Sequence, residues 1–288
     1  MSGFALALVL TGAVCHAIWN IVAKKSQGGA AFVFLYGVFS VAAAMPVAAW
    51  AWTRQPQYFD AVMWVAVAAS ALIHVLYSLI LQKAYREADF AVVYPVARGT
   101  GPMLSALLAI LLLGERPSPV GYLSIAAILA GVFVSAGANA LWRGGARERR
   151  LGVLWGVATG AFIAAYTVLD GWAIKTLGMA PILFYAAAIV LRTLLQAPFA
   201  LRRVDALRRE WREKRAAIVT VGLLAPTAYA LVLLAVQRAP LSYVAPVREI
   251  SMLIGTFIGA GLLKEAVKPS QVAGAAIMLA GVAGLAWA

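Results

Sequence analysis

The chain has 288 residues, of which 64% are hydrophobic and only 12% are charged, and its mean hydropathy is +0.88. This composition excludes an ordinary water-soluble domain and indicates an integral membrane protein. The net charge of +13 does not indicate nucleic-acid binding, because a membrane protein needs lysine and arginine on its cytoplasmic loops. We therefore expect membrane lipid and no nucleic acid as partners.

Apolar segments of about 20 residues recur along the chain, which is the length that an α-helix needs to cross a bilayer. They predict an all-α integral membrane protein with ten transmembrane helices. The predicted spans are 4–23, 30–52, 61–82, 90–113, 119–140, 152–173, 180–200, 217–236, 242–263 and 270–287.

The two halves of the chain repeat each other at a shift of 150 residues. The aligned pairs are Asn20 and Asp170, Lys25 and Lys175, Arg98 and Arg248, and Glu115 and Glu265. Each copy has an odd number of spans, so the second copy enters the bilayer in the opposite orientation. The sequence therefore predicts two inverted five-helix repeats, at 1–140 and 152–288, joined by a basic cytoplasmic linker at 141–151.

Lysine and arginine are concentrated in the odd-numbered loops, which hold 17 of these residues against 4 in the even-numbered loops. The positive-inside rule predicts that the odd loops are cytoplasmic and that both termini are periplasmic, in a multi-pass protein of the cell inner membrane. The densest basic stretch, 201–215, favours a short amphipathic helix on the anionic leaflet, with Trp211 at the headgroups.

Charged and titratable side chains within the predicted spans are candidate site residues, because an unpaired charge at mid-bilayer costs about 3 kcal/mol or more. The repeat-related Arg98 and Arg248 would face one pseudo-twofold axis, where substrate sites lie in transporters with inverted repeats. The full candidate set is His16, Trp19, Asn20, His74, Tyr77, Ser78, Arg98, Tyr166, Asp170, Tyr185, Arg192, Gln196, Tyr229, Arg248 and Glu249. Together they predict a central cavity with aromatic walls that suits a small zwitterion or cation.

Two sets of glycines spaced four residues apart predict close helix packing. They are Gly152, Gly156 and Gly160 in the sixth span, and Gly255 and Gly259 in the ninth. Glu115 and Glu265 lie in the loops at the repeat ends. We expect them to be structural caps or salt-bridge partners rather than substrate ligands.

Motifs of common enzyme classes are missing from the sequence. It has no phosphate-binding glycine loop, no HExxH or paired-cysteine metal spacing and no GxSxG elbow. We therefore expect no enzyme activity, no cofactor and no bound metal, and no ATP-driven step. A proton relay through His16, His74, Asp170 or Glu249 and an uncoupled facilitator both stay open.

Each repeat ends in an acidic loop followed by a helix of small residues, GERPSPVGYLSIAAILAGV at 114–132 and KEAVKPSQVAGAAIMLAGV at 264–282. With ten predicted spans, this duplicated motif resembles the EamA-type members of the drug/metabolite transporter superfamily. The resemblance implies an inner-membrane exporter of amino acids and other metabolites, with a central cavity lined by the first four spans of each repeat. The aromatic cavity is similar to that of the YddG-type aromatic amino acid exporters.

Two other substrate classes of the same superfamily stay open. The small multidrug resistance relatives carry a glutamate in the first span, where this chain has His16 and Asn20, but Asp170 in the repeat-related span keeps export of cationic drugs open. Exchangers of phosphorylated sugars use basic residues, which the three arginines inside the spans provide. Glu249 beside Arg248 disfavours that reading, because a dianionic phosphate prefers cations without a neighbouring carboxylate.

A non-transporting scaffold or sensor is disfavoured, because the loops between the predicted spans are short and carry no soluble domain. We expect alternating access around the central cavity. The internal duplication supplies both halves of such a transporter in one chain, so we expect a monomer.

Overall fold

A computed structural model describes residues 1–88, 90–136, 146–263 and 268–288, and the regular elements in these ranges are all helices. The α-helices are α1 (Gly3–Ser26), α2 (Ala30–Arg54), α3 (Ala61–Glu87), α4 (Phe90–Leu112), α5 (Pro119–Ala136), α6 (Ala146–Lys175), α7 (Pro181–Ala200), α8 (Val204–Val236), α9 (Leu241–Val247), α10 (Ile250–Leu263) and α11 (Pro269–Trp287). The predicted all-helical fold is confirmed. Of the predicted linker, 141–145 lie outside the described residues, and 146–151 form the start of α6.

Seven helical stretches within the described residues are long and apolar enough to cross a membrane. They are Gly3–Ser26, Ala30–Arg54, Ala61–Glu87, Val92–Leu112, Arg150–Lys175, Pro181–Val236 and Pro269–Trp287. Pro181–Val236 contains two predicted spans, because only a short 3₁₀ turn, Leu201–Arg203, separates α7 from α8. Pro119–Ser135 is a shorter apolar helix. The multi-pass architecture is confirmed, whereas the count of ten spans stays a prediction.

The prediction of one continuous helix over 242–263 is wrong. α9 ends at Val247 and α10 begins at Ile250, so Arg248 and Glu249 lie at a helix break. Pro246 lies two residues before the break, and without a backbone N–H it cannot donate to the preceding turn. The chain crosses the break by tight turns, in which the Glu249 N–H donates to the Pro246 carbonyl at 3.0 Å.

The first part of α8 is the predicted basic amphipathic segment. The helical dihedrals are interrupted at Lys214, where φ is −130° and ψ is 19°. Lys214 Nζ pairs with Glu210 at 3.0 Å, and the Trp211 ring stacks on Phe39 of α2 with a centroid distance of 5.3 Å. The segment is therefore anchored to the bundle by an aromatic contact, and the chain changes direction before the apolar part of α8.

Glycines of α6 form a close seam with α4. A Cβ atom added at Gly156 would lie 2.6 Å from Val96 Cβ and 3.1 Å from the Val93 carbonyl oxygen, and Gly152 and Gly160 approach the same helix. The predicted seam of the sixth span is therefore confirmed. The corresponding prediction for the ninth span is wrong at Gly255, which has open space around it. The surroundings of Gly259 lie outside the described residues.

A second glycine seam joins the last helices of the two repeats, α5 and α11. A Cβ atom added at Gly274 would lie 2.6 Å from the Gly131 carbonyl oxygen, and one added at Gly281 would lie 2.8 Å from the Ser124 carbonyl oxygen. The order of these contacts makes the two helices antiparallel. The small residues of the duplicated motif thus allow backbone-to-backbone packing between the repeats.

One end of the bundle is joined across the two repeats. We call it the even-loop end; it comprises loops 55–60, 113–118, 176–180 and 237–240. The Gln57 side chain donates to the Gly178 carbonyl at 2.8 Å and accepts from the Ala180 N–H at 2.7 Å. The Tyr243 hydroxyl accepts from the Ser118 N–H at 3.2 Å. These contacts connect loops of the first repeat with loops and helix ends of the second.

Glu115 strengthens the even-loop end by binding the first turn of α9. Its two carboxylate oxygens accept from the N–H groups of Leu241 and Ser242 at 2.6 and 2.8 Å, and Oε1 lies 3.6 Å from Lys175 Nζ. The carboxylate satisfies N–H groups that a helix start leaves without intrahelical partners. The predicted cap and salt bridge are therefore confirmed for Glu115, while Glu265 lies outside the described residues.

Candidate functional site

The two repeat-related arginines, Arg98 and Arg248, lie on helical segments that start at opposite ends of the bundle. α4 ends and α9 begins at the even-loop end. At 1.5 Å per residue, Arg98 lies about 12 Å from the start of α4 and Arg248 about 10 Å from the start of α9. The inverted repeats therefore place the two backbone positions at similar distances from opposite ends of the bundle.

Arg98, Arg248 and Glu249 form one buried ion group. Glu249 is 1% exposed and Arg248 is 5% exposed. Arg98 Nη1 donates to Glu249 Oε2 at 3.2 Å, and Arg248 Nε lies 3.8 Å from Glu249 Oε1. One carboxylate therefore serves two guanidinium groups, and the ion group has an excess positive charge.

The two arginines differ in how firmly they are held. Arg98 Nη2 lies 3.2 Å from His16 Nε2, and because arginine has only donors, this imidazole nitrogen accepts and is unprotonated. The Arg98 guanidinium also lies over the Tyr94 ring, 5.5 Å from its centroid. Arg248 Nε is buried and has no hydrogen-bond partner within the described residues.

An aromatic wall adjoins the ion group and crosses four helices, α3, α6, α7 and α8. His74 stacks on Tyr166 at a centroid distance of 4.2 Å, and Tyr77 meets the same ring edge-on at 5.6 Å. Tyr229 contacts Tyr166 at 6.2 Å and Tyr185 at 5.2 Å. Aromatic rings of this kind can stack on an aromatic ligand or bind a cation once a ligand reaches them.

Asp170 adjoins this wall and is 1% exposed. The Tyr229 hydroxyl donates to Asp170 Oδ2 at 2.5 Å, and the Ser70 hydroxyl also faces the carboxylate. Oδ1 has no hydrogen-bond partner under ordinary distance limits within the described residues. Arg248 is near enough to attract Asp170 electrostatically, but the two do not form an ion pair. The negative charge of Asp170 and the positive charge of Arg248 thus lie in the same region of the bundle. Each has a polar atom without a hydrogen-bond partner among the described residues.

A small cavity lies between α3 and α7. Ser70, His74, Tyr185 and Arg192 line it together with three aliphatic side chains, and it has room for about one water molecule. Within the part of the chain that the structure describes, Arg192 makes no hydrogen bond or ion pair. A ligand larger than water requires these helices or side chains to move.

The remaining predicted site residues lie beside these groups. The Trp19 ring contacts His16 edge-on at 4.9 Å. The Asn20 amide donates to the His16 carbonyl and the Ser78 hydroxyl to the His74 carbonyl, each at 2.9 Å. These two polar groups are therefore bound to their own helices. Gln196 follows Arg192 by one helical turn and makes no hydrogen bond to any described residue.

Two contributing residues were not among the predicted ones. Ser70 lines the cavity, and its carbonyl lies 2.9 Å from His74 Nδ1; Tyr94 contacts Arg98. Each precedes a predicted residue by four positions, so extending the helical faces by one turn would have found both. Across the described ranges, no cluster of three or more histidine, cysteine, aspartate or glutamate side chains is arranged to hold a metal.

Comparisons with known proteins agree with this architecture. The sequence model described as "EamA-like transporter family" matches residues 3–137 and again residues 150–287. One solved structure, described only as the crystal structure of a protein, is similar with a TM-score of 0.75 and 17% sequence identity, over 97% of each chain. At that identity the likeness shows the fold alone. No match was found among curated protein sequences.

Proposed function

The chain belongs to the EamA-like transporter family, and from this premise we propose that it exports amino acids, aromatic ones among them, across the cell inner membrane. The family indicates a multi-pass membrane transporter of small molecules. The substrate class and the direction of transport are inferred from the chemistry of the central site and from the charges of the loops.

The observation that carries the proposal is the pair of incompletely satisfied charges, Asp170 and Arg248. Each is at most 5% exposed, and each has a buried polar atom without a hydrogen-bond partner in the described chain. Buried charges are costly when unpaired, and charge-assisted hydrogen bonds to a ligand relieve that cost. A zwitterion supplies both partners, with its α-ammonium group at Asp170 and its α-carboxylate at Arg248.

The aromatic wall gives the zwitterion a site for its side chain. The rings of Tyr166, Tyr229 and Tyr185 lie beside the two charges, and the cavity at His74 continues from them. An aromatic side chain gains stacking contacts there. Because the cavity holds about one water molecule in this structure, substrate entry requires a conformational change, which is what alternating access provides.

The charge balance favours a zwitterion over the two alternative substrates. The proposed site contains three arginines and two carboxylates, and therefore has one excess positive charge. These residues are Arg98, Arg192, Arg248, Asp170 and Glu249. That excess opposes a cationic drug. A sugar phosphate carries two negative charges, and the Glu249 carboxylate, 3.8 Å from Arg248, would repel it.

The distribution of charge over the loops supports the orientation. The odd-numbered loops carry most of the lysine and arginine, which favours a cytoplasmic position for them. The even-loop end would then face the periplasm, and its cross-repeat contacts would close the outer path in this structure. The glycine seam between α5 and α11 joins the two halves within one chain, which supports a monomer.

Uptake into proteoliposomes tests the function directly. Labelled phenylalanine, threonine, a sugar phosphate and a quaternary-amine dye are offered in turn, each with and without a pH gradient. We expect saturable movement of phenylalanine, and the response to the gradient distinguishes coupled transport from a facilitator. Movement of only the phosphate or the dye would overturn the amino-acid proposal.

Two aspartate variants connect the activity with the site. Asp170→Asn removes the proposed partner of the ammonium group and is expected to lower apparent phenylalanine affinity about tenfold or more. Asp205→Asn makes the same chemical change at a fully exposed position in α8 and is expected to leave uptake unchanged. Equal uptake by both variants would remove Asp170 from the site.

A further inference from the structure

We propose that the Glu249 carboxylate competes with the substrate carboxylate for Arg248. Arg98 limits this competition by binding Glu249 and holding it away from Arg248. This inference rests on the amino-acid function proposed above, with the substrate carboxylate at Arg248. It assigns different roles to the two repeat-related arginines. Arg98 positions Glu249, and Arg248 binds the substrate.

The distances within the ion group separate these roles. Glu249 Oε2 accepts a hydrogen bond from Arg98 at 3.2 Å. Glu249 Oε1 lies 3.8 Å from Arg248 Nε, which is beyond hydrogen-bond length. The carboxylate is therefore bonded to Arg98, while Arg248 keeps a donor that another carboxylate can use.

The surroundings of Arg98 fix its position. It lies within the continuous helix α4, and both the His16 imidazole and the Tyr94 ring hold its guanidinium group. Glu249 and Arg248 are neighbours at the break between α9 and α10. Their side chains can approach each other when the turn at this break adjusts, whereas the Arg98 guanidinium group is held by contacts with His16 and Tyr94, which lie away from this break.

The repeat alignment accounts for the single competitor. The residue that aligns with Glu249 in the first repeat is Gly99. A Cβ atom there would overlap the ring of Phe133, so an acidic side chain at this position requires that ring to move. Arg98 and Arg248 thus share one acidic residue, Glu249. The one positive charge that remains can pair with a single substrate carboxylate.

Removing Arg98 has a specific consequence under this arrangement. Glu249 loses its hydrogen-bonded partner and, as a buried carboxylate, takes the nearest remaining cation, Arg248. The substrate carboxylate is then excluded from Arg248. A ligand that has the ammonium group and the ring but no carboxylate does not depend on this competition.

The experiment measures ligand affinity by the concentration dependence of thermal stabilisation of the purified full chain. The ligands are phenylalanine and phenethylamine, which lacks the carboxylate. We expect Arg98→Gln to weaken phenylalanine binding about tenfold, in line with loss of a buried charge partner, and to leave phenethylamine unchanged. Adding Glu249→Gln removes the competitor and is expected to restore phenylalanine binding to about the wild-type affinity.

A matched pair of variants controls for charge. Arg208 and Asp205 form an exposed ion pair at 3.9 Å; Arg208→Gln and the double variant Arg208→Gln/Asp205→Asn are expected to bind both ligands as the wild type does. The proposal is overturned if the Arg98→Gln/Glu249→Gln variant binds phenylalanine as weakly as Arg98→Gln. It is also overturned if Arg98→Gln weakens both ligands equally, as a purely structural role of Arg98 would.

A further variant keeps the test decisive if Arg98→Gln does not fold. In the wild type Glu249 Oε1 remains 3.8 Å from Arg248 Nε, so some competition persists there. Glu249→Gln alone removes it and is expected to tighten phenylalanine binding several-fold; an unchanged affinity then overturns the proposal. Failure of the amino-acid function has a different signature, since wild-type protein would then show no stabilisation by phenylalanine at all.

Discussion

Replacing Glu115 with glutamine is expected to open the even-loop end of the bundle. The carboxylate accepts from the N–H groups of Leu241 and Ser242 at 2.6 and 2.8 Å and lies 3.6 Å from Lys175. Glutamine has one carbonyl oxygen, and because the two N–H groups now bind different carboxylate oxygens, only one of them keeps its acceptor in the same side-chain orientation. Its amide nitrogen is a donor and would face the other N–H without an acceptor between them.

The structure sets the size of this effect. Leaving one partly buried donor unsatisfied costs about 1–3 kcal/mol, and losing the attraction of the half-buried Lys175 adds up to about 1 kcal/mol. The loss falls mainly on the closed arrangement, because opening this end separates Glu115 from α9. A cost of about 2 kcal/mol shifts a two-state equilibrium about 30-fold toward the open arrangement.

Distance measurements between spin labels can detect the shift. Cys15 is the only cysteine of the chain, so Cys15→Ser provides a background without thiols. Tyr58, which is 84% exposed, and the exposed Gln237 lie on different repeats at the even-loop end, and each is replaced by a labelled cysteine. We expect Glu115→Gln to populate longer distances between the two labels.

A matched glutamate variant shows whether the effect is specific. Glu87→Gln removes an exposed acid that pairs with Lys83 at 3.8 Å at the opposite end of α3, and the distance distribution is expected to stay as in the wild type. If Glu115→Gln also leaves the distribution unchanged, the cap on α9 does not hold this end closed and the reasoning fails.

Two other changes have defined outcomes. Gly156→Ala is expected to destabilise the protein by about 1–3 kcal/mol through overpacking, because the added Cβ would lie 2.6 Å from Val96. Gly255→Ala meets open space and should leave the thermal unfolding temperature nearly unchanged. Similar losses of stability in both variants would contradict the packing argument. Tyr229→Phe removes the hydroxyl that donates to Asp170 and is expected to lower phenylalanine affinity several-fold in the thermal-stabilisation assay. Tyr122→Phe makes the same change at an exposed tyrosine and should leave the affinity unchanged. Equal affinities of the two variants would show that the Tyr229 hydroxyl does not contribute to binding.

The helices could be predicted from the sequence, because uninterrupted apolar segments of span length are visible in it. The helix break at Arg248 could not, since the apolar pattern continues through it. The prolines do not distinguish the two repeats, because Pro95 and Pro246 are each the sixth residue of their helix. α4 nevertheless continues past its proline, whereas α9 ends one residue after Pro246.

The members of the buried ion group could be predicted from the sequence, but their pairing could not. Arginine and acidic residues inside apolar segments are conspicuous, yet Arg98 and Glu249 are 151 positions apart, and no spacing rule joins them. Glycine spacing was similarly incomplete as a guide. Gly156 and Gly255 belong to equivalent patterns, but only the first has a neighbouring helix at close range, so the partner helix decides which glycines pack.

The helix break at Arg248 also means that the two halves are not interchangeable parts. Exchanging the dipeptides Arg98-Gly99 and Arg248-Glu249 would place an acidic side chain beside the Phe133 ring. It would also leave Arg248 without a neighbouring glutamate. The two copies therefore differ here in backbone as well as in chemistry, because α4 is continuous through Arg98 whereas the equivalent segment is broken at Arg248. At the proposed site a substrate would meet a different surface from each repeat, which favours a single binding orientation.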